Sequence, residues 1–147
     1  MELRTEQLYE RANFDALTQL PNRHSLTEKI TQAIEIARER KTNLALMFLD
    51  LDRFKVINDS LGHFMGDKLL IEVAKKIQHK LTDNDVVGRW GGDEFVVLIQ
   101  NPKDLSAVDS LAKEIIASLS LPLIVSGHQL HISTSIGIAC FPDDGDD

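Results

Sequence analysis

The sequence predicts an α/β fold of the α+β kind, with a mostly antiparallel central sheet flanked by helices. Three observations carry that expectation. Two strand-like runs, Asp85 to Trp90 and Phe95 to Ile99, are joined by Gly91-Gly92-Asp93-Glu94, and a Gly-Gly pair between such runs signals a tight hairpin. Leu44 to Leu49 is apolar throughout, which suits a central strand covered on both faces. Three longer stretches repeat apolar residues at helical spacing.

Taken in order, residues 1–14 are polar and helix-prone but weakly amphipathic, with Leu3, Leu8, Tyr9 and Ala12 as candidate buried positions. Asp15 to Arg23 reads as a loop holding Pro21, with Asn22 placed to cap the next helix. Leu26, Ile30, Ala33, Ile34 and Ala37 then mark an amphipathic helix over residues 23–40. After the apolar strand, a short helical turn over Phe54 to Ser60 ends near Gly62. Leu69, Leu70, Val73, Ala74, Ile77 and Leu81 define a second long helix. Beyond the hairpin, Leu105, Val108, Leu111, Ile115, Ile116 and Leu119 define a third. Leu121 to Val125 and Gln129 to Ala139 read as two strands turning at Ser126-Gly127.

Composition narrows the function. At 147 residues the chain suits a single domain able to bury a core without staples. Its one cysteine, Cys140, rules out an internal disulfide and reads as a plain strand residue. No apolar run approaches the ~20 residues of a spanning helix. A formal charge of -7 argues against a general nucleic-acid surface, so a polyanionic ligand would need cations to mediate.

Chemistry concentrates in two acidic clusters. Glycine at the hairpin bend leaves no side chain at the tip, so a phosphate can approach the backbone at Gly91 and Gly92. Asp93 and Glu94 follow, with oxygens suited to a hard divalent cation. The second cluster, Asp50-Leu51-Asp52, ends the apolar strand. If strand and hairpin lie side by side, Asp50, Asp93 and Glu94 converge at one edge with Asp52 close by. Two carboxylates ~4 Å apart repel by roughly 4 kcal/mol at an effective dielectric near 20, so they need a shared proton or a bound cation. Magnesium would supply the charge and leave room for triphosphate oxygens and water. A calcium loop starting at Asp50 is excluded, because Lys55 stands at its glycine position and Leu61 at its bidentate glutamate position.

The string Gly91-Gly92-Asp93-Glu94-Phe95 resembles the signature of the GGDEF domain, the diguanylate cyclase family. Three further motifs carry the resemblance: Asp15-Ala16-Leu17-Thr18-Gln19-Leu20-Pro21-Asn22-Arg23, Phe48-Leu49-Asp50-Leu51-Asp52-Arg53-Phe54-Lys55, and Asn58-Asp59-Ser60-Leu61-Gly62-His63-Phe64-Met65-Gly66-Asp67. Ser135-Ile136-Gly137-Ile138-Ala139 is a weaker echo.

The resemblance implies a palm-like core like that of nucleotide cyclases and polymerases. It implies a homodimer whose two GTP molecules condense into cyclic di-GMP and two pyrophosphates. Magnesium, with manganese as an alternative, would be held by Asp50, the Leu51 carbonyl, Asp93 and Glu94. Asp93, or else Glu94, would accept the proton of the attacking hydroxyl. Lys55 would neutralise phosphate charge, with the Arg53 and Phe54 amides cradling the phosphates. Asn58 and Asp67, with His63 nearby, would read guanine, since a carboxylate accepts from its N1-H and exocyclic amine together. The bland readings of these residues are a solvated helix lysine at Lys55 and turn or helix-end roles for Asn58, His63 and Asp67.

Two departures qualify what is carried over. Many relatives place an inhibitory Arg-x-x-Asp product site ahead of the hairpin. Here Thr82 stands for the arginine before Asp85, which removes the bidentate donor and with it high-affinity product inhibition. The family also continues past this end into a helix bearing basic residues, so residues 15–147 are expected to be a domain lacking that helix. Residues 1–14 are expected to be a linker or signalling helix from an upstream sensor. The acidic end Pro142-Asp143-Asp144-Gly145-Asp146-Asp147 resembles proteins in which an EAL phosphodiesterase domain follows. The domain is expected to face the cytoplasm and to bind no nucleic acid. The alternative function is a non-catalytic GTP-binding module that controls an attached domain.

Overall fold

The computed structural model describes residues 12–142. The helix expected over residues 1–14 lies almost wholly outside that range; of its candidate buried positions only Ala12 is described, and it is exposed.

Helix α1 spans Arg23–Arg40, started by Asn22, whose side chain accepts from the Ser25 amide at 2.9 Å. It stops where Lys41 turns left-handed, with Arg38 and Arg40 in the last turn opposing the helix dipole. Strand β1, Leu44–Leu51, runs through the middle of the domain. Helices α2 (Phe54–Leu61) and α3 (His63–Lys80) are separated by Gly62 at φ 92°, a value that favours glycine. Strands β2 (Asp85–Gly91) and β3 (Glu94–Gln100) form the hairpin. Helix α4, Leu105–Ser120, begins where Asp104 caps the Ala107 amide at 2.8 Å. Strands β4 (Leu123–Val125), β5 (His128–Leu130) and β6 (Thr134–Phe141) follow. No described helix is long and apolar enough to cross a membrane.

The main sheet has four antiparallel strands in the order β2-β3-β1-β6, while β4 and β5 pair apart in a small second sheet. Alternation along β1 divides the core. Ala45, Met47, Leu49 and Leu51 face the larger cluster built with α2, α3, α4, β4 and β5. Leu44 lies in the smaller cluster with Ala33, Ile34 and Ala37 of α1, with Leu98 and Phe141 beside them and Leu46 packed against it. Strand β1 is thus apolar throughout because helices cover it on both sides. Only its far end escapes, where Phe48 and Asp50 are exposed.

Several boundaries differ from expectation for identifiable reasons. Gln129 to Ala139 is not one strand: β5 pairs with β4, β6 pairs with β1, and residues 131–133 pass between the two sheets with Ile132 buried. The β4 strand begins at Leu123 because Pro122 ends helical geometry at Leu121, which is exposed. Helix α3 starts at His63, ahead of its first buried leucine, and Leu81 caps it from outside. Leu105 and Ile116, part of the apolar spacing that marks α4, are exposed on it.

The hairpin turn also moves. The two-residue loop is Gly92-Asp93, not Gly91-Gly92, because a bulge between Arg89 and Gly91 shifts the register and Gly91 pairs with Glu94. Only Gly92 takes positive φ, the pattern of a type II′ turn.

Close backbone approach fixes how the hairpin meets α1. A Cβ on Gly88 would lie 2.9 Å from the Pro21 carbonyl oxygen and 2.9 Å from Leu26 Cδ2, and that carbonyl already accepts the Arg89 amide at 3.0 Å. Because one obstacle is backbone, the expected cost of Gly88→Ala is about 1–3 kcal/mol. Urea unfolding of the variant against the unaltered protein measures it; a change within ±0.5 kcal/mol would contradict this packing.

Candidate active site

The β1–β3 register brings the acidic clusters together. Asp50 stands directly opposite Glu94, which puts the two Cα atoms about 5 Å apart. Asp93, at the turn tip one residue earlier, lies beside Asp50. Its carboxyl is raised above the ordinary carboxylate range, first by desolvation and then by the Asp50 charge. Its own backbone amide opposes the shift, while the Glu94 charge and a carboxyl–carboxyl hydrogen bond with Asp50 add to it.

The corner is therefore a carboxylate pair with Glu94 in register beside it. Asp52 does not join that pair: its oxygens accept from Ser133 Oγ at 2.9 Å and Ser135 Oγ at 2.8 Å. Among the described residues no three His, Cys, Asp or Glu side chains form a ready-made metal cluster. Two carboxylates and a strand-end carbonyl are hard oxygen donors, and magnesium typically takes one or two carboxylates and fills its octahedron with water and phosphate oxygens. The donor set fits that ion.

The remaining expected residues lie on the segment that follows β1. Arg53 occupies the N-cap position of α2, and Phe54 is half-buried against the core. Lys55 is exposed on the first turn. Asn58 packs on the buried Gly66, where a Cβ would overlap its Oδ1, and that oxygen is buried without a hydrogen-bond partner. Asp67, next to Gly66, is exposed, as is His63 at the start of α3. Exposed Gly91 and Gly92 have nothing within 4 Å of where a side chain would sit, so the tip is open.

Arg89 is a site-shaping residue whose role the sequence left unassigned. Its Nε and Nη2 donate to the Gly92 carbonyl at 3.0 and 2.9 Å, and Nη1 reaches both Asp15 oxygens at 3.2 Å. One planar guanidinium thus ties the hairpin tip to the loop ahead of α1. Burial pushes the Asp15 carboxyl up, but the Thr18 amide and hydroxyl together with Arg89 outweigh it and hold the group below its usual range. Next to it in sequence, Trp90 carries the Arg23 guanidinium over its ring, 4.6 Å from the ring centre.

The segment that replaces the product site is closed on itself. Asp85 Oδ2 accepts from the Thr82 amide at 2.9 Å and the Thr82 hydroxyl at 3.0 Å. A cavity of about 470 Å³ beside Thr82 and Asp85 reaches Ile99 and Gln100, at the opposite end of β3 from the carboxylates.

Comparison with known proteins agrees with this architecture. The model of the family described as diguanylate cyclase, GGDEF domain, matches residues 12–147, and the chain belongs to that family. It is 44% identical over 139 residues to the bifunctional diguanylate cyclase/cyclic di-GMP phosphodiesterase MucR of Pseudomonas aeruginosa, covering 95% of this chain but 20% of MucR. It is 41% identical over 140 residues to the diguanylate cyclase TpbB of the same organism, covering 95% of this chain and 32% of TpbB. The chain thus spans a third or less of these larger signalling proteins. The crystal structure of the TpbB GGDEF domain superposes with a TM-score of 0.85 at 41% identity, covering 88% of this chain and 81% of that one. A coiled-coil and GGDEF fragment of Caulobacter crescentus DgcB, in complex with c-di-GMP, gives 0.88 at 29% identity over 99% of this chain and 78% of that one.

Two outcomes follow. Asp93 holds its proton more tightly folded than unfolded, so its charge costs stability above the raised value, and that cost vanishes below the ordinary carboxylate value of about 3.9. Asp93→Asn is therefore expected to raise the thermal midpoint at neutral pH without metal and to lose that advantage in acid, as melts from pH 3 to 8 would register. Arg89→Met is expected to cost about 1–3 kcal/mol at neutral pH by stranding Asp15 and the Gly92 carbonyl. Since the Asp15 contribution is present above the unfolded pKa and fades as pH falls through the depressed one, the difference should shrink in acid; a pH-independent loss would speak against the ion pair.

Proposed function

We propose that this chain is the catalytic domain of a diguanylate cyclase, joining two GTP molecules into cyclic di-GMP with release of two pyrophosphates. One observation carries the reading: Asp50 and Asp93 sit side by side where the two inner strands end, with the Asp93 carboxyl raised by desolvation and by its neighbour. Such a pair is costly unless a cation or proton is shared.

In this reading Asp50, the Leu51 carbonyl and Asp93, with Glu94 as a further ligand, hold magnesium or manganese. Bound there, the ion supplies Lewis-acid polarisation of the phosphate oxygens and lowers the pKa of the attacking hydroxyl. Asp93 takes the proton from the 3′-hydroxyl, with Glu94 as the alternative acceptor. The 3′-oxygen forms its bond to the α-phosphorus of the other GTP as the bond to pyrophosphate breaks. The open tip at Gly91 and Gly92 lets phosphates come near. Lys55 and the amides of Arg53 and Phe54 meet their charge.

Guanine would lie along the α2–α3 crevice. The orphaned Asn58 oxygen there favours a donor such as the exocyclic amine, since leaving a buried acceptor unpaired costs about 1–3 kcal/mol. Asp67 would accept from N1-H, with His63 at the rim. Two copies must face each other, because each supplies one nucleotide. The bifunctional cyclase/phosphodiesterase name of MucR supports a downstream EAL domain as neighbour, an upstream sensor is the expected input, and the need for GTP favours the cytoplasmic side.

A regulatory module that binds GTP without turnover is the second reading, favoured by relatives named as cyclic di-GMP phosphodiesterases, among them NbdA of Pseudomonas aeruginosa at 42% identity. Incubating the full-length protein with GTP and magnesium separates the two. Cyclic di-GMP should accumulate, and Asp93→Ala should lower the rate by about 10²–10⁴-fold. GTP binding without product, unchanged by that substitution, would establish the regulatory reading instead.

A further inference from the structure

Four hydrogen bonds tie the end of β1 to residues 133–135, around the backbone that would hold the ion. The Asp52 amide donates to the Ser133 carbonyl at 3.0 Å, and the Thr134 hydroxyl donates to the Asp50 carbonyl at 3.0 Å. The Asp52 carboxylate receives Ser133 Oγ on one oxygen and Ser135 Oγ on the other, at 2.9 and 2.8 Å. Residues 50 and 52 are thus both anchored, and Leu51, paired with Thr134, is held between them.

The position of Ser135 gives this arrangement its consequence. In the β1–β6 register Ser135 stands directly opposite Asp50, as Glu94 does on the other side. A hydroxyl has one proton to give, and Ser135 gives it to Asp52. It therefore does not tie up a lone pair of Asp50, whose carboxylate is left to the Asp93 side. Asp52, for its part, has both oxygens satisfied by neutral donors and stays out of the carboxylate pair.

We propose that Asp52 is a positioning residue, which through Ser133 and Ser135 fixes the Asp50–Leu51 backbone and keeps the Asp50 carboxylate open to a divalent ion. This rests on the proposed function, since it concerns the same ion. Outer hydrogen-bond partners of metal ligands commonly matter by 10–100-fold in metal affinity, although they never touch the metal.

The test is manganese titration of the metal-free full-length protein by calorimetry or electron spin resonance, with thermal melts of the metal-free protein alongside. Asp52→Asn and Ser135→Ala are expected to weaken manganese binding about 10-fold or more. Their metal-free melting points should stay close to that of the unaltered protein, and Ser135→Thr, which keeps the hydroxyl, should restore the affinity. In turnover, the magnesium concentration for half-maximal rate should rise while the rate at saturation changes little. Undiminished manganese affinity in both variants, beside its loss in Asp50→Asn, would overturn the proposal and leave the catalytic reading intact. A lowered melting point with intact affinity would also overturn it, reducing the clamp to a fold contact. If the unaltered protein takes up no manganese either alone or with a non-hydrolysable GTP analogue present, the catalytic reading fails and this one with it.

Discussion

The pairing register of β1 with β3 is the constraint on which the site depends. Asp50 opposite Glu94 is the last pair of a ladder that begins at Leu44 opposite Gln100. Side chains alternate faces along a strand, so a slip of one residue would turn Asp50 into the core and Leu49 out of it. The register is held because Met47, Leu49, Phe95 and Val97 bury on one face while Leu44 and Leu98 bury on the other. Placement of the carboxylates is thus a by-product of the packing. Apolar burial fixes them, and their mutual repulsion is tolerated at the edge.

Around that edge, each costly feature has a compensating partner. The hairpin tip is held by one guanidinium that also satisfies Asp15, and Asp15 is satisfied a second time by Thr18. On the far side of β1, hydroxyls rather than cations settle the Asp52 carboxylate. The pair of Asp50 and Asp93 is the exception, with Asp93 displaced upward in pKa. Local frustration of this kind at the end of inner strands, surrounded by satisfied groups, is where a ligand gains most by arriving.

Much of this was legible in the residues. The helical spacing of Leu26 to Ala37 and of Leu69 to Ile77 gave helices where they stand, because one apolar stripe on each must face the sheet. Each acidic cluster is contiguous in sequence, and their meeting follows from hairpin and strand sharing a sheet. What escaped depends on contacts distant in sequence. Arg89 and Asp15 are separated by 74 positions, and nothing local marks them as partners. The bulge between Arg89 and Gly91 that moves the turn to Gly92-Asp93 is a one-residue change of register, which the Gly-Gly pair does not announce. Residues 131–133 have strand-like composition, but β5 and β6 serve different sheets.

Strand β6 lies at the rim of the main sheet, and among the described residues no strand pairs with its outer side. Thr134 to Phe141 contains no charged residue and no proline, the devices that usually keep such rims from zippering onto one another. Handled alone at high concentration, a rim so free of charge and proline therefore resists strand addition less than a guarded one would. Solubility work on it should begin by placing a lysine on that border, away from Ser135.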